Sequence, residues 1–185
     1  VSARLLIVVS GLAASGKTTI GRALSERLSL PLLDKDDILE SLFDSLGCDG
    51  PEQRYRLSRA SDEVLYRLAR SSPAAVLVNW WDHDTAPERL RAISASLVEV
   101  FCDCPVELAA ARFAARERHP GHLDRLRTPY DVEEGVRGMR ASFRGPLGLN
   151  DAPVVVDTSR PVDLDNLVER VRAATSPDGL AAPGT

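Results

Sequence analysis

Eight consecutive residues, Gly11-Leu12-Ala13-Ala14-Ser15-Gly16-Lys17-Thr18, satisfy G-x-x-x-x-G-K-[ST] at every position. The glycines let a loop curl until successive backbone N–H groups point inward, a concavity that suits phosphate oxygens. In that pattern Lys17 reaches the β- and γ-phosphates of ATP, and the Thr18 hydroxyl is offered to Mg²⁺. Gly11, Ala13, Ala14, Ser15, Gly16, Lys17, Thr18 and Thr19 are therefore the candidate ATP contacts, with Lys17 also a candidate catalytic residue.

Transfer needs a second set of groups beside the γ-phosphate. Asp34-Lys35-Asp36-Asp37 follows a short apolar run. Carboxylates there can orient a metal or its waters, accept the proton of an incoming hydroxyl, or cap the helix that follows. Trp80 and Trp81 are adjacent, and Asp82, His83 and Asp84 follow them. One aromatic face can stack on an acceptor while its neighbour packs inward, because successive side chains in extended backbone point opposite ways. Residues 112 to 144 hold eight arginines against five acids. Guanidinium forks match phosphate oxygens, so Arg112 and Arg116 are candidates, with His119-Pro120-Gly121-His122 as a turn that could hinge a lid. Arg160 lies just beyond a later apolar run, His122 is placed near the acceptor, and Arg56 on a basic helix could meet a phosphate-bearing acceptor.

With these residues in view, positions 5 to 46 resemble shikimate and gluconate kinases, and equally the chloramphenicol phosphotransferase and polynucleotide 5′-kinase branches of the small P-loop kinases. The phosphate loop, Thr18-Thr19-Ile20-Gly21-Arg22 and Asp34-Lys35-Asp36 carry that resemblance. It implies Asp36 as catalytic base and Asp34, with Thr18, near the metal. It also implies an arginine-bearing lid, with Arg112 against adenine and Arg116 or Arg118 on the transferring phosphate. The acceptor side then comprises Asp34, Asp37, Trp80, Trp81, Asp82, His122 and Arg56. The chain departs from shikimate kinases where the third strand runs into Asn79-Trp80-Trp81 instead of three glycines, and Ile38 and Leu39 stand where polynucleotide kinases place an arginine. The expected activity is ATP- and Mg²⁺-dependent phosphorylation of a hydroxyl on a small molecule, an antibiotic or other natural product first. A sugar-acid, nucleoside or nucleotide acceptor is the alternative, and a non-catalytic ATP-binding switch is the reading of a different class.

These residues need a scaffold, and apolar periodicity supplies one. Leu5 to Val9 is a continuous apolar run, too short for a signal peptide's hydrophobic region, and is read as a strand buried on both faces. Further strands are expected at Pro31–Leu33, Ala74–Val78, Leu97–Cys102 and Val154–Val156. Helices are expected at Thr18–Leu28, Asp36 to about Leu46, Pro51–Arg70, Pro87–Ser96, Val106–Arg118, Val132–Phe143 and Leu164–Ala174, with a polar loop over His119–Pro129. This alternation predicts an α/β P-loop NTPase fold, a five-stranded parallel sheet with helices on both faces and a helical lid. Residues 1–174 form the expected kinase domain, the lid spans about 112–144, and 175–185 form a disordered tail.

Composition narrows the remaining classes. A net charge of -4 does not suit a surface adapted to nucleic acid polymers or acidic lipid. Cys48, Cys102 and Cys104 read as reduced thiols in a cytoplasmic protein, and no apolar run approaches the ~20 residues of a membrane span. The expected partner is the small acceptor alone, with the chain a monomer or homodimer.

Overall fold

A computed structural model describes residues 4–94, 96–141, 144–150 and 152–175. Five parallel strands, β1 (Leu5–Gly11), β2 (Leu32–Asp34), β3 (Ala74–Val78), β4 (Ser96–Asp103) and β5 (Val154–Asp157), form one sheet in the order β2-β3-β1-β4-β5. Helices α1 (Lys17–Leu28), α2 (Lys35–Leu46), α3 (Pro51–Ser71), α4 (Ala86–Arg91), α5 (Val106–Ala115), α6 (Pro129–Ala141) and α7 (Leu164–Ala174) cross between and around the strands. This is the expected P-loop α/β architecture.

The central strand explains its own composition. Leu5, Ile7 and Val9 pack with Ile20 and Leu24 of α1 and Leu167 and Val171 of α7 on one face of the sheet. Leu6 and Val8 pack with Leu65 and Ala69 of α3 and Leu90 of α4 on the other. A strand covered on both sides cannot alternate apolar with polar, so it reads as a run. Because β1 lies between β3 and β4, the chain leaves its carboxyl end at the place where successive crossovers diverge, which is where such sheets open a ligand crevice.

Three expected boundaries are corrected. The helix expected over Pro87–Ser96 ends at Arg91, where Ile93 N and Ser94 N both donate to the Leu90 carbonyl and Ser96 is drawn into β4 beside Leu5. The helix expected to reach Arg118 stops at Ala115, and Arg116 is extended (φ -79°, ψ 137°). The loop expected over His119–Pro129 contains two 3-10 turns, Pro120–His122 and Asp124–Leu126, with Gly121 and His122 buried. Thr175, the first residue of the expected tail, is buried and caps α7 by donating its backbone N–H to the Val171 and Arg172 carbonyls. The rest of the expected tail, 176–185, lies outside the described residues, as do Ser142 and Phe143 at the end of the expected α6.

Candidate active site

The phosphate loop is shaped by conformations that few residues adopt. Gly11 has φ 135°, and a Cβ there would stand 2.7 Å from the Cys102 carbonyl oxygen and 2.8 Å from Ser15 Oγ, so both conformation and space require glycine. Gly16, at φ 95°, caps α1, whose first turn adds its positive dipole end to the loop. The Ser15 hydroxyl is buried with no hydrogen-bond partner among the described residues. Lys17 is buried too, and its Nζ donates to the Leu12 carbonyl at 2.6 Å and the Gly11 carbonyl at 3.1 Å. Burial pulls its pKa down to about 8; Cys102, Asp36 and Asp34 oppose the shift, while Arg116 adds to it. An ammonium with such meagre solvation and an orphaned hydroxyl in one cradle fit a polyanionic ligand.

Thr18 leads from the loop to the acidic cluster. Its hydroxyl donates to Asp34 Oδ2 at 3.0 Å, while Asp34 Oδ1 accepts the Asp36 amide at 2.9 Å and so caps α2. Burial raises the Asp34 pKa to about 6, partly offset by the Asp36 amide and the Thr18 hydroxyl; the neighbouring carboxylates add to the rise. A hydroxyl and a carboxylate held together are an oxygen donor pair suited to a hard cation such as Mg²⁺. Asp36 is half-buried, and its carboxylate makes no hydrogen bond or ion pair among the described residues. Lys35 is buried beside it, with Nζ on Ser58 Oγ at 2.8 Å.

These groups share a cleft of about 870 Å³. Ala13, Ala14, Gly16, Lys17, Thr18 and Thr19 line it, as do Asp34, Asp36, Trp80, Arg112, Arg116 and Arg160. Arg112 donates to the Thr158 carbonyl at 3.1 Å, and Arg160 pairs with Asp157 at 2.8 Å, so the two arginines flank the loop after β5. Arg116 lies 4.6 Å over the Phe113 ring. Its Nε is buried without a partner among the described residues, and burial, with Arg118 and Arg127 nearby, lowers its pKa to about 10. Arg118, the alternative for that role, is held by both oxygens of Asp124, at 2.7 and 2.5 Å. That pairing explains the early end of α5: a continued helix would carry Arg118 away from Asp124.

Five expected acceptor residues do not line this cleft. Trp81 is buried, its indole donating to the Val9 carbonyl at 2.8 Å and its ring against Tyr66, whereas Trp80 is 60% exposed at the cleft. Asp82 accepts the Asp84 and Thr85 amides and the Thr85 hydroxyl, which hold its pKa low, and it borders a separate space of about 190 Å³ with His83, Asp84 and Arg144. His122 is buried against Glu40 at 2.9 Å and pins the 3-10 turn to α2. Asp37 points toward Arg22 on the outside of α2. Arg56 is exposed and pairs with Glu52 one turn away. In its place Arg54, from the basic helix expected to meet a phosphate-bearing acceptor, lines the cleft together with Arg118, the expected alternative for the transferring phosphate, and with Lys35, Asn79 and Arg127, which were not among the expected site residues. Arg54 lies three residues before buried Leu57 and seven before buried Ser61, so it continues the inward stripe of α3, which Arg56 does not.

Convergence of a lysine-bearing phosphate loop, paired carboxylates and unpaired guanidiniums at the carboxyl edge of a parallel sheet defines a P-loop kinase, a phosphotransferase with an alcohol acceptor. Residues 6–146 match the AAA domain family AAA_33, and the chain belongs to that family. A solved structure from Chloroflexus aurantiacus, described as a candidate kinase, is 31% identical with a TM-score of 0.78, and the match covers 93% of this chain and 98% of that one. A cytidylate kinase of Sulfurisphaera tokodaii is 24% identical over 179 residues, 89% of this chain and 93% of that protein. A shikimate kinase of Francisella tularensis subsp. novicida is 26% identical over 173 residues, 89% of this chain and 91% of that protein. The non-catalytic switch is therefore set aside. Among the described residues no helix is long and apolar enough to cross a membrane.

Proposed function

We propose that the chain transfers the γ-phosphoryl group of ATP, with Mg²⁺, to a hydroxyl of a small ring-bearing natural product, antibiotics being the first class to test, in the cytoplasm. The observation that carries the reading is Asp36, a carboxylate with no partner among the described residues, in the cleft that holds Lys17 and Thr18. Asp36 accepts the hydroxyl proton as the acceptor oxygen attacks. Lys17 exchanges its two carbonyl partners for phosphate oxygens, which restore the solvation it lacks. Arg116, whose Nε has no partner among the described residues, meets the charge that builds on the transferring group. Thr18 and Asp34 would hold the metal, which supplies charge neutralisation on the phosphates when bound. Trp80 offers an aromatic face at the cleft for the acceptor ring. Arg112 and the loop after β5 lie where the base of the nucleotide is received, and the segment 112–144 serves as the lid.

The test is ADP release with ATP and Mg²⁺ across aminoglycosides, amphenicols, nucleosides and sugar acids, with product mass. One compound that raises turnover far above background and gains a phosphoryl group establishes the reaction. ATP binding with hydrolysis to water alone across hydroxylated compounds, and no phosphorylated product, would overturn it.

A further inference from the structure

The turn after α5 is docked on the helix that carries Asp36, and its polar contacts there run through histidine. Asp36, Glu40 and Asp44 stand four residues apart, so they share one face of α2. His122 Nε2 donates to Glu40 Oε1 at 2.9 Å and His119 Nε2 to Asp44 Oδ1 at 3.2 Å, because an ionised carboxylate only accepts. His119 also meets the Phe43 ring edge-on at 5.6 Å, and a Cβ on Gly121 would stand 3.0 Å from that ring. Arg118 and Asp124 clasp the two ends of the turn at 2.7 and 2.5 Å, and Arg116 lies two residues before it.

The other nitrogen of each ring leaves no place for a second proton. His119 Nδ1 accepts the Gly121 amide at 3.2 Å, so a proton there would oppose the N–H that caps the turn. His122 Nδ1 is buried with no partner among the described residues, on a side chain only 1% exposed. A proton there would bring an N–H without an acceptor into the interior. The charged groups facing His122 are Glu40 and Asp36 on α2 and Arg118 and Asp124 at the ends of the turn, while Asp44 faces His119. Burial lowers the His122 pKa and Arg118 adds to the shift, whereas Glu40 and Asp36 oppose it. The docked turn therefore binds fewer protons than the free one. Docking is at full strength above the ordinary value of 6.5 and weakens as pH falls below it, by up to about tenfold per pH unit.

We propose that His119 and His122 are positioning residues, a latch of two neutral imidazoles that seats the 118–124 turn on α2 and holds Arg116 and Arg118 beside Asp36, and that acid releases it. The role of Arg116 rests on the kinase reading above; the latch adds a proton-sensitive control to that reading. Neither histidine touches the reacting atoms. When the turn leaves α2, Arg116 is carried away from the transferring group and the charge building there loses its nearest guanidinium.

The experiment combines spectroscopy and kinetics. Full-length protein with AMP-PNP and Mg²⁺ is taken from pH 8 to pH 5 while long-range proton–nitrogen spectra follow its three histidines. At pH 8 the rings of His119 and His122 are both neutral, with the proton on Nε2. His122 takes its second proton with a midpoint below 6.5, and the Gly121 amide, on leaving His119 Nδ1, shifts with the same midpoint. ADP release from ATP and Mg²⁺ is then compared for wild type and His122→Gln, whose amide nitrogen still donates to Glu40 but takes no proton. The ratio of wild-type to variant kcat falls by about tenfold or more between pH 7.5 and 5.5, with a smaller change in KM for ATP. That ratio cancels the titration of Asp34, which both proteins share. A proton on Nδ1 of either ring at pH 8, a His122 midpoint at or above 6.5, a Gly121 amide that does not follow it, or a flat ratio overturns the latch. The wild-type spectra decide the matter even where the variant does not fold. Amides of Gly16 and Lys17 that ignore AMP-PNP overturn the kinase reading instead, and the ring spectra still judge the latch.

Discussion

Replacing Lys17 with methionine should abolish nucleotide binding and at the same time make the empty protein more stable. The lysine is buried, and its pKa falls from 10.5 to about 8, chiefly because burial penalises the ammonium. That depression corresponds to about 3 kcal/mol against the charged form at pH 7. Methionine keeps the stem's volume and removes the charge, but it also removes donors to the Leu12 and Gly11 carbonyls, at a cost of about 1–2 kcal/mol. The net gain is about 1–2 kcal/mol, or a melting temperature higher by roughly 3–6 °C for a chain of this size. The pH dependence has a definite sign. Below pH 8 both folded and unfolded chains hold the proton, and the full cost of Lys17 is present. Between pH 8 and 10.5 the folded protein releases the proton while the unfolded chain keeps it, so the lysine's penalty fades and the two melting curves converge. Differential scanning calorimetry of nucleotide-free wild type and Lys17→Met across pH 7 to 10 reads both effects. A variant that melts several degrees below wild type at pH 7, or a gap that widens with pH, would refute the reasoning.

Three further outcomes follow from the packing. Gly11→Ala forces a Cβ to within 2.7 Å of the Cys102 carbonyl at a positive φ, so it should cost about 3 kcal/mol in urea titration and weaken ATP binding sharply. Glu99 is fully buried and accepts the Ser10 hydroxyl at 2.6 Å and the Leu147 and Leu149 amides at 2.7 and 3.2 Å. Glu99→Ala should cost about 4 kcal/mol and speed amide exchange at Leu147 and Leu149, with Glu99→Gln losing roughly half as much. Arg116→Ala should lower kcat by about a hundredfold or more in an assay with saturating ATP, with a smaller change in KM for ATP, because the charge it meets is largest in the transition state.

Legibility from sequence followed the range of the interactions involved. The expected Ala74–Val78 strand and Leu164–Ala174 helix coincide with β3 and α7, because each is specified by local periodicity and bounded by turn or capping residues. The phosphate loop was legible because its eight residues are contiguous, and Asp34 and Asp36 because they border it through one short strand. The site's far wall was not. His122 meets Glu40 across 82 residues of chain, and Arg118 turns toward Asp124 instead of extending α5, so neither side chain's direction is written in local spacing. Trp80 and Trp81 are adjacent in sequence, yet only the Val9 carbonyl, 72 residues from Trp81, decides which of them packs inward. Arg54 is a different case. Its step to Leu57 and Ser61 was visible in the sequence, and helical periodicity weighed against charge clustering would have chosen it over Arg56.

The central chemical assignment is Asp36 as the group that takes the acceptor's proton. Its most direct measurement is phosphorylated-product formation by wild type and Asp36→Asn at saturating ATP and Mg²⁺, followed by mass, alongside ATP affinity for both. Asp36→Asn should bind ATP as wild type does and form product about a hundredfold to ten-thousandfold more slowly, the usual share of a positioned base. Product formation by Asp36→Asn at nearly the wild-type rate would contradict the assignment.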